Sequence, residues 1–125
     1  MKAQDLKNVL QEHKLWLESG RKKGERADLR GVDLLGVDLR FVDLSGANFS
    51  GANLSGANLH GAYMSGANLE DVNFTGAILA SINLEGAILT RANLTGADLR
   101  RAHLTGANLR NADLNGTLLI DAVLI

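Results

Sequence analysis

Apolar and polar positions recur in units of five along residues 27–124, with no insertion: a small residue, Asn or Asp, an apolar residue, a polar residue, and a fifth that is most often Gly. Ala47-Asn48-Phe49-Ser50-Gly51 and Ala52-Asn53-Leu54-Ser55-Gly56 show the unit. The central apolar residues, called hubs here, are Leu29, Leu34, Leu39, Leu44, Phe49, Leu54, Leu59, Met64, Leu69, Phe74, Leu79, Leu84, Leu89, Leu94, Leu99, Leu104, Leu109, Leu114, Leu119 and Leu124. Two positions before each hub stands a small residue, Ala in most units and Val32, Val37, Val42, Val72, Ile82 or Thr117 in the others. Residues two apart share one face of extended backbone, so small residue and hub point to the core and the Asn or Asp between them points out. A period of five matches neither a helix nor the twofold alternation of a long strand. It fits a short extended bridge followed by a sharp corner, repeated as equal stacked steps.

The fifth position describes the corner. It is Gly in 12 of 19 units, and Gly36, Gly46, Gly56, Gly66, Gly76, Gly86, Gly96, Gly106 and Gly116 form an unbroken series. The exceptions, Phe41, Asp71, Ser81, Arg91, Arg101, Asn111 and Asp121, all fall in the alternate series. Gly is the default where φ is positive or backbones approach closely. The pattern therefore predicts a four-sided coil of 20 residues, with Gly demanded at one pair of opposite corners. About five coils stacked at ~4.8 Å make an all-β solenoid roughly 24 Å long. Outward columns repeat every 20 residues, as in Asp33, Asn53, Asn73, Asn93 and Asp113, and are expected to hydrogen-bond along the rod.

Before the repeats the period changes. Leu6, Val9, Leu10, His13, Trp16 and Leu17 fall at three- and four-residue spacing and predict an amphipathic helix over residues 3–19, with Gly20 at its C-terminal end. Arg21 to Arg26 is a charged connector, so the chain divides into residues 1–26 and 27–125. An open coil exposes core and strand edges, and the helix is expected to cover the first one, resting on Leu35 and Phe41. At the other end Leu118, Ile120, Val123 and Ile125 occupy outward positions that are polar elsewhere. Clustered exposed apolar groups of this kind predict a homodimer interface.

Composition narrows the chemistry. The chain of 125 residues is 46% hydrophobic, enough for a continuous core, and has a formal net charge of -1, which implies no nucleic-acid partner. Charge is uneven, since residues 1–26 carry 7 basic against 4 acidic groups and the repeats carry 6 against 10. No Cys is present, a usage that fits a cytoplasmic protein, and the start of the chain lacks the apolar run of a signal peptide. No apolar stretch approaches membrane-spanning length, so no membrane association is expected. His13, His60 and His103 fall on different parts of the fold, and Ser45, Ser50, Ser55 and Ser65 are repeat positions without an adjacent base. No catalytic residue, cofactor, metal or small-molecule substrate is expected. Asp28, Asp33, Asp38 and Asp43 form an acidic collar on the first coil, expected to pair with Lys22, Lys23 and Arg26. Arg40, His60, Arg100 and Arg101 share one side of the rod and make a candidate surface for an acidic protein partner.

The tandem Ala-(Asp or Asn)-Leu-x-x units, twenty copies over residues 27–124, resemble the pentapeptide repeat family. That resemblance implies a right-handed quadrilateral β-helix and a non-enzymatic, protein-binding or scaffold module, in some members dimeric through the C-terminal end. Other members imitate B-form DNA in shape and charge and act on DNA gyrase, giving fluoroquinolone resistance, commonly with loop insertions. A DNA-mimicking regulator of gyrase is therefore the alternative expectation.

Overall fold

The computed structural model describes residues 1–125. A single helix, α1 (Ala3–Glu18), precedes a solenoid whose backbone forms parallel bridges between residues 20 apart, from Asp28 with Asn48 to His103 with Val123. From Leu29 to Leu104 each hub N–H donates to the residue 19 positions on, as in Phe49 to Asn68 O (2.8 Å) and Leu84 to His103 O (2.7 Å). The residue before the hub donates backward, as in Asn68 N–H to Ala47 O (2.9 Å). Between bridges a tight turn joins each hub carbonyl to the N–H three residues later, as in Ala52 N–H to Phe49 O (2.9 Å). The third residue of every such turn has a positive φ, the requirement of a type II turn.

Positive φ holds at both series of corners: Gly56 has φ 65° and Arg101 has φ 61°. This corrects the expectation that only alternate corners need Gly for their backbone. A Cβ on Gly56, Gly66, Gly76 or Gly96 would meet open space, and φ is positive in both series, so neither the surroundings nor the backbone angle accounts for the unbroken Gly series.

Inside the rod the hubs stack in four files. From Leu29 to Leu104 no hub is more than 5% exposed, and Ala27 and the inward residues from Ala47 to Ala102 are buried beside them. The last four hubs differ from expectation. Leu109 is half-buried, while Leu114, Leu119 and Leu124 are 38%, 37% and 57% exposed. A hub is covered from above by the coil twenty residues later, and within residues 1–125 nothing lies above these four.

The outward Asn and Asp side chains behave differently from the expected axial ladders. Asn53 Nδ2 does donate to Asp33 Oδ1 (3.1 Å), and Ser65 Oγ to Ser45 Oγ (3.4 Å). Elsewhere the side-chain oxygen accepts the N–H two residues on, as Asn48 does from Ser50 (3.1 Å) and Asn93 from Thr95 (3.1 Å). The first corner N–H lies outside the ladder, and an Asx turn satisfies it locally. That need selects Asn and Asp at this position.

The helix ends as its sequence predicts, one residue early. Ser19 N–H reaches Leu15 O (2.9 Å), Gly20 follows at φ 67°, and Arg21 N–H returns to Trp16 O (2.7 Å). The connector then folds back, with Glu25 N–H on Glu12 O (3.3 Å).

Candidate functional site

Three surfaces carry the residues singled out above. The first is the contact between α1 and the first coil. Leu6, Val9 and Leu10 pack against the core, Trp16 and Leu17 are half-buried, and a Cβ on Gly46 would lie 3.5 Å from the Trp16 ring. Arg21 stacks over that ring at 5.1 Å. The helix does not rest on Leu35 or Phe41, which are 67% and 66% exposed. It lies to one side, leaving a groove of about 800 Å³ between Leu6, Leu10 and Leu17 of α1 and Val37, Phe41 and Val42 of the first coil. Phe41 turns instead onto His60, edge to face at 5.5 Å, in the space left by Gly61.

His13 pins the helix and is the one fully buried polar side chain. Its Nδ1 accepts the Ala27 N–H (2.9 Å), which assigns the ring proton to Nε2, and Nε2 donates to Ser45 O (3.0 Å). Burial pushes the imidazole below its ordinary value near 6.5; the Ser45 carbonyl and Asp43 pull it up, and Arg26 pushes it down. The unfolded chain therefore binds the proton first as pH falls, and the stability contributed by neutral His13 is present above about 6.5 and lost below it. Melting temperature is expected to fall between about pH 7 and pH 5 in the parent and to stay flat in His13→Gln. A parent curve as flat as the variant's would remove His13 as the titrating group. The Arg-paired aspartates Asp28, Asp38, Asp71 and Asp98 are held below 3.8 and act in a lower window.

The second surface is the side bearing Arg40, His60, Arg100 and Arg101. The structure brings His60, Arg100 and Arg101 around one hollow but gives two of the arginines partners that the spacing argument overlooked. Arg40 grips Asp38 through Nε (2.9 Å) and Nη2 (2.8 Å), and Arg100 grips Asp98 in the same way (2.9 and 2.7 Å). Arg30 closes on Asp28 as well, so Asp28 and Asp38 of the acidic collar are paired within their own units, Asp33 and Asp43 carry no ion pair, and none of the four pairs with Lys22, Lys23 or Arg26. An Asp and an Arg flanking one hub point to the same outer side, within side-chain reach. The signal was legible in Asp28-Leu29-Arg30, Asp38-Leu39-Arg40 and Asp98-Leu99-Arg100. Arg91 makes the axial version, joining Asp71 (2.9 Å) and Glu70 of the preceding coil. Asp98 apart, these groups stand in solvent, which screens such pairs and leaves them a small part in stability.

The third surface is the C-terminal end. Leu118 (47% exposed), Ile120 (67%), Val123 (42%) and Ile125 (98%) surround the uncovered hubs Leu114, Leu119 and Leu124. The ladder's last hub bond runs from Leu104 N–H to Val123 O (2.7 Å). Core side chains and a strand edge are thus presented together.

No group of three or more His, Cys, Asp or Glu side chains is placed to hold a metal ion, and no helix is long and apolar enough to cross a membrane.

A family model described as pentapeptide repeats matches in 8 copies, over residues 25–61, 33–71, 52–91, 67–106 and 102–125. Among solved structures the chain is similar to a pentapeptide repeat protein from the thylakoid lumen of Arabidopsis thaliana, with 37% identity and a TM-score of 0.69 over 71% of this chain and 62% of that one. It is also similar to HetL, a pentapeptide repeat protein involved in heterocyst differentiation regulation from the cyanobacterium Nostoc sp. strain PCC 7120. Here identity is 38% and the TM-score 0.65, over 78% of this chain and 49% of HetL. QnrB1, a plasmid-mediated fluoroquinolone resistance protein, shares the fold at 24% identity and a TM-score of 0.70, over 80% of this chain and 51% of that one. The chain thus spans less than two thirds of each of these proteins. Comparison with curated protein sequences finds no match.

Proposed function

Because the chain belongs to the pentapeptide repeat family, we propose that it is a non-enzymatic protein-binding or scaffold module. Family members wind as right-handed quadrilateral β-helices. In this reading the chain makes about five coils, α1 covers the first, and the protein resides in the cytoplasm. The observation that carries the reading is the C-terminal end. Exposed Leu114, Leu118, Leu119, Ile120, Val123, Leu124 and Ile125 lie together there, whereas a soluble rod otherwise turns such groups inward. A second copy meeting this end about a twofold axis buries the hubs and leaves the long faces free for a protein partner.

The double change Leu118→Glu, Val123→Glu places four carboxylates in that interface. The parent is expected to sediment as a dimer at tens of micromolar and the double variant as a monomer with an unchanged circular dichroism spectrum. A monomeric parent, or a variant that stays dimeric, would be incompatible with this interface. Capture of partners from the native host, with parent and double variant as bait, tests the module itself; failure of the parent to retain any specific protein counts against it.

The gyrase-directed alternative draws no support from charge. A DNA mimic needs an acidic stripe along the rod, and here Asp28, Asp38, Asp71 and Asp98 are each closed by an arginine while middle coils present mainly Asn, Ser and Thr. Likeness to QnrB1 extends to the fold alone.

A further inference from the structure

The residues that directly follow the hubs stack along the arginine-bearing side as Arg40, His60, Ala80, Arg100 and Ile120, beside a corner column of Phe41, Gly61, Ser81, Arg101 and Asp121. Backbone bonds hold this register: Phe41 N–H to His60 O (3.0 Å), Gly61 to Ala80 (3.0 Å), Ser81 to Arg100 (2.9 Å) and Arg101 to Ile120 (3.0 Å). Ala80 is the only alanine at a position following a hub. Its missing side chain opens a hollow of about 410 Å³, lined by His60, Ile78, Ala80, Ser81, Asp98, Arg100 and Arg101.

The hollow is cationic. Its one acid, Asp98, is occupied on both oxygens by Arg100 and also accepts the Arg100 N–H (3.1 Å). That grip fixes the Arg100 guanidinium and leaves Nη1 outside the pair. Arg101 belongs to none of the ion pairs, which join Lys14–Glu18, Arg30–Asp28, Arg40–Asp38, Arg91–Glu70, Arg91–Asp71 and Arg100–Asp98. Arg101, Ser81 and His60 thus offer polar groups around an apolar floor. Such a constellation fits a carboxylate, which a guanidinium binds through charge-assisted bonds.

An apolar group flanks it along the rod. Phe41 is 66% exposed, and it holds a left-handed φ of 62°, a conformation unfavourable for a bulky side chain. It lies two coils from the hollow, ~10 Å at the ~4.8 Å spacing of parallel strands. A polyproline II peptide brings every third side chain to one face at ~9 Å intervals.

We propose that this side of the rod binds an acidic peptide segment of a partner protein, running parallel to the rod axis in polyproline II conformation, with one Asp or Glu in the Ala80 hollow and an apolar residue three positions away against Phe41. The proposal rests on the protein-binding reading above and assigns that binding to a face.

The test is fluorescence anisotropy with a labelled, end-blocked Leu-Pro-Ser-Glu-Pro-Ser-Leu peptide. Binding is expected to weaken about tenfold or more with Arg101→Ala, and by a similar factor when the peptide Glu is replaced by Gln, the worth of one charge-assisted bond. Ala80→Glu fills the hollow with a like charge and abolishes binding; Glu70 and Glu85 stand at equivalent positions, so this variant folds. Absence of binding by the parent at millimolar peptide overturns the proposal, as does indifference to Ala80→Glu. Competition by inorganic phosphate at the peptide's own affinity would mark a bare anion site and overturn the peptide assignment. Should host proteins be captured equally by parent and Ala80→Glu, the hollow is refuted while the module reading survives; capture by neither sinks the module reading.

Discussion

Leu84→Lys is expected to abolish the single cooperative thermal transition. Leu84 is fully buried in the middle of its file, between Met64 and Leu104, and its N–H is bonded to His103 O at 2.7 Å. Truncating a buried Leu costs about 2–5 kcal/mol, and an unpaired ammonium in its place adds several more. The sum is comparable to the whole stability of a typical domain, about 5–15 kcal/mol. The same change at Leu35, an outward residue 67% exposed, leaves the ammonium in water and costs far less. Circular dichroism melts of both variants decide the matter. If Leu84→Lys melted as sharply as the parent, Leu84 could not face the interior.

Gly24→Ala is expected to unseat α1 while leaving the rod folded. Gly24 has φ +73°, and a Cβ there would lie 2.4 Å from Glu12 O and 2.9 Å from Trp16 N. Both obstacles are backbone, so no rotamer change relieves them; the connector and helix must separate. Gly36 provides the control, since its φ is +66° and its Cβ would meet open space. There the cost is the left-handed conformation alone, about 1–2 kcal/mol. Trp16 fluorescence should shift to the red in Gly24→Ala and remain unchanged in Gly36→Ala. Equal behaviour of the two would show that the connector is not tightly packed on the helix. The repeats keep their transition in either case, because each hub is bonded to its neighbouring coil and not to α1.

The interior was legible because one constraint acts at every step. Wherever a small residue and a hub stand two apart they share a face, and burial is incomplete only at the two ends, at the inward Val32, Val37 and Val42 of the first coil and in the last coil. Surface geometry was less legible, because it depends on where long side chains come to rest. Phe41 and Leu35 read as a landing site for α1, yet the helix stops short of them, held by His13 between Ala27 and Ser45. The columns of Asn suggested axial ladders, but a corner N–H two residues away is nearer and otherwise unpaired. The hollow at Ala80 required the stacking of Ala80 between His60 and Arg100, visible only once the 20-residue register was applied to the non-hub positions.

All the bridges of the rod run in the same direction, so its two ends are different objects. In the reading proposed above, α1 stands at one end and leucine side chains at the other, so copies that meet do so tail to tail and assembly stops at a pair. The helix would then act as a chain terminator, keeping a molecule built from cross-β spacing from becoming a fibre.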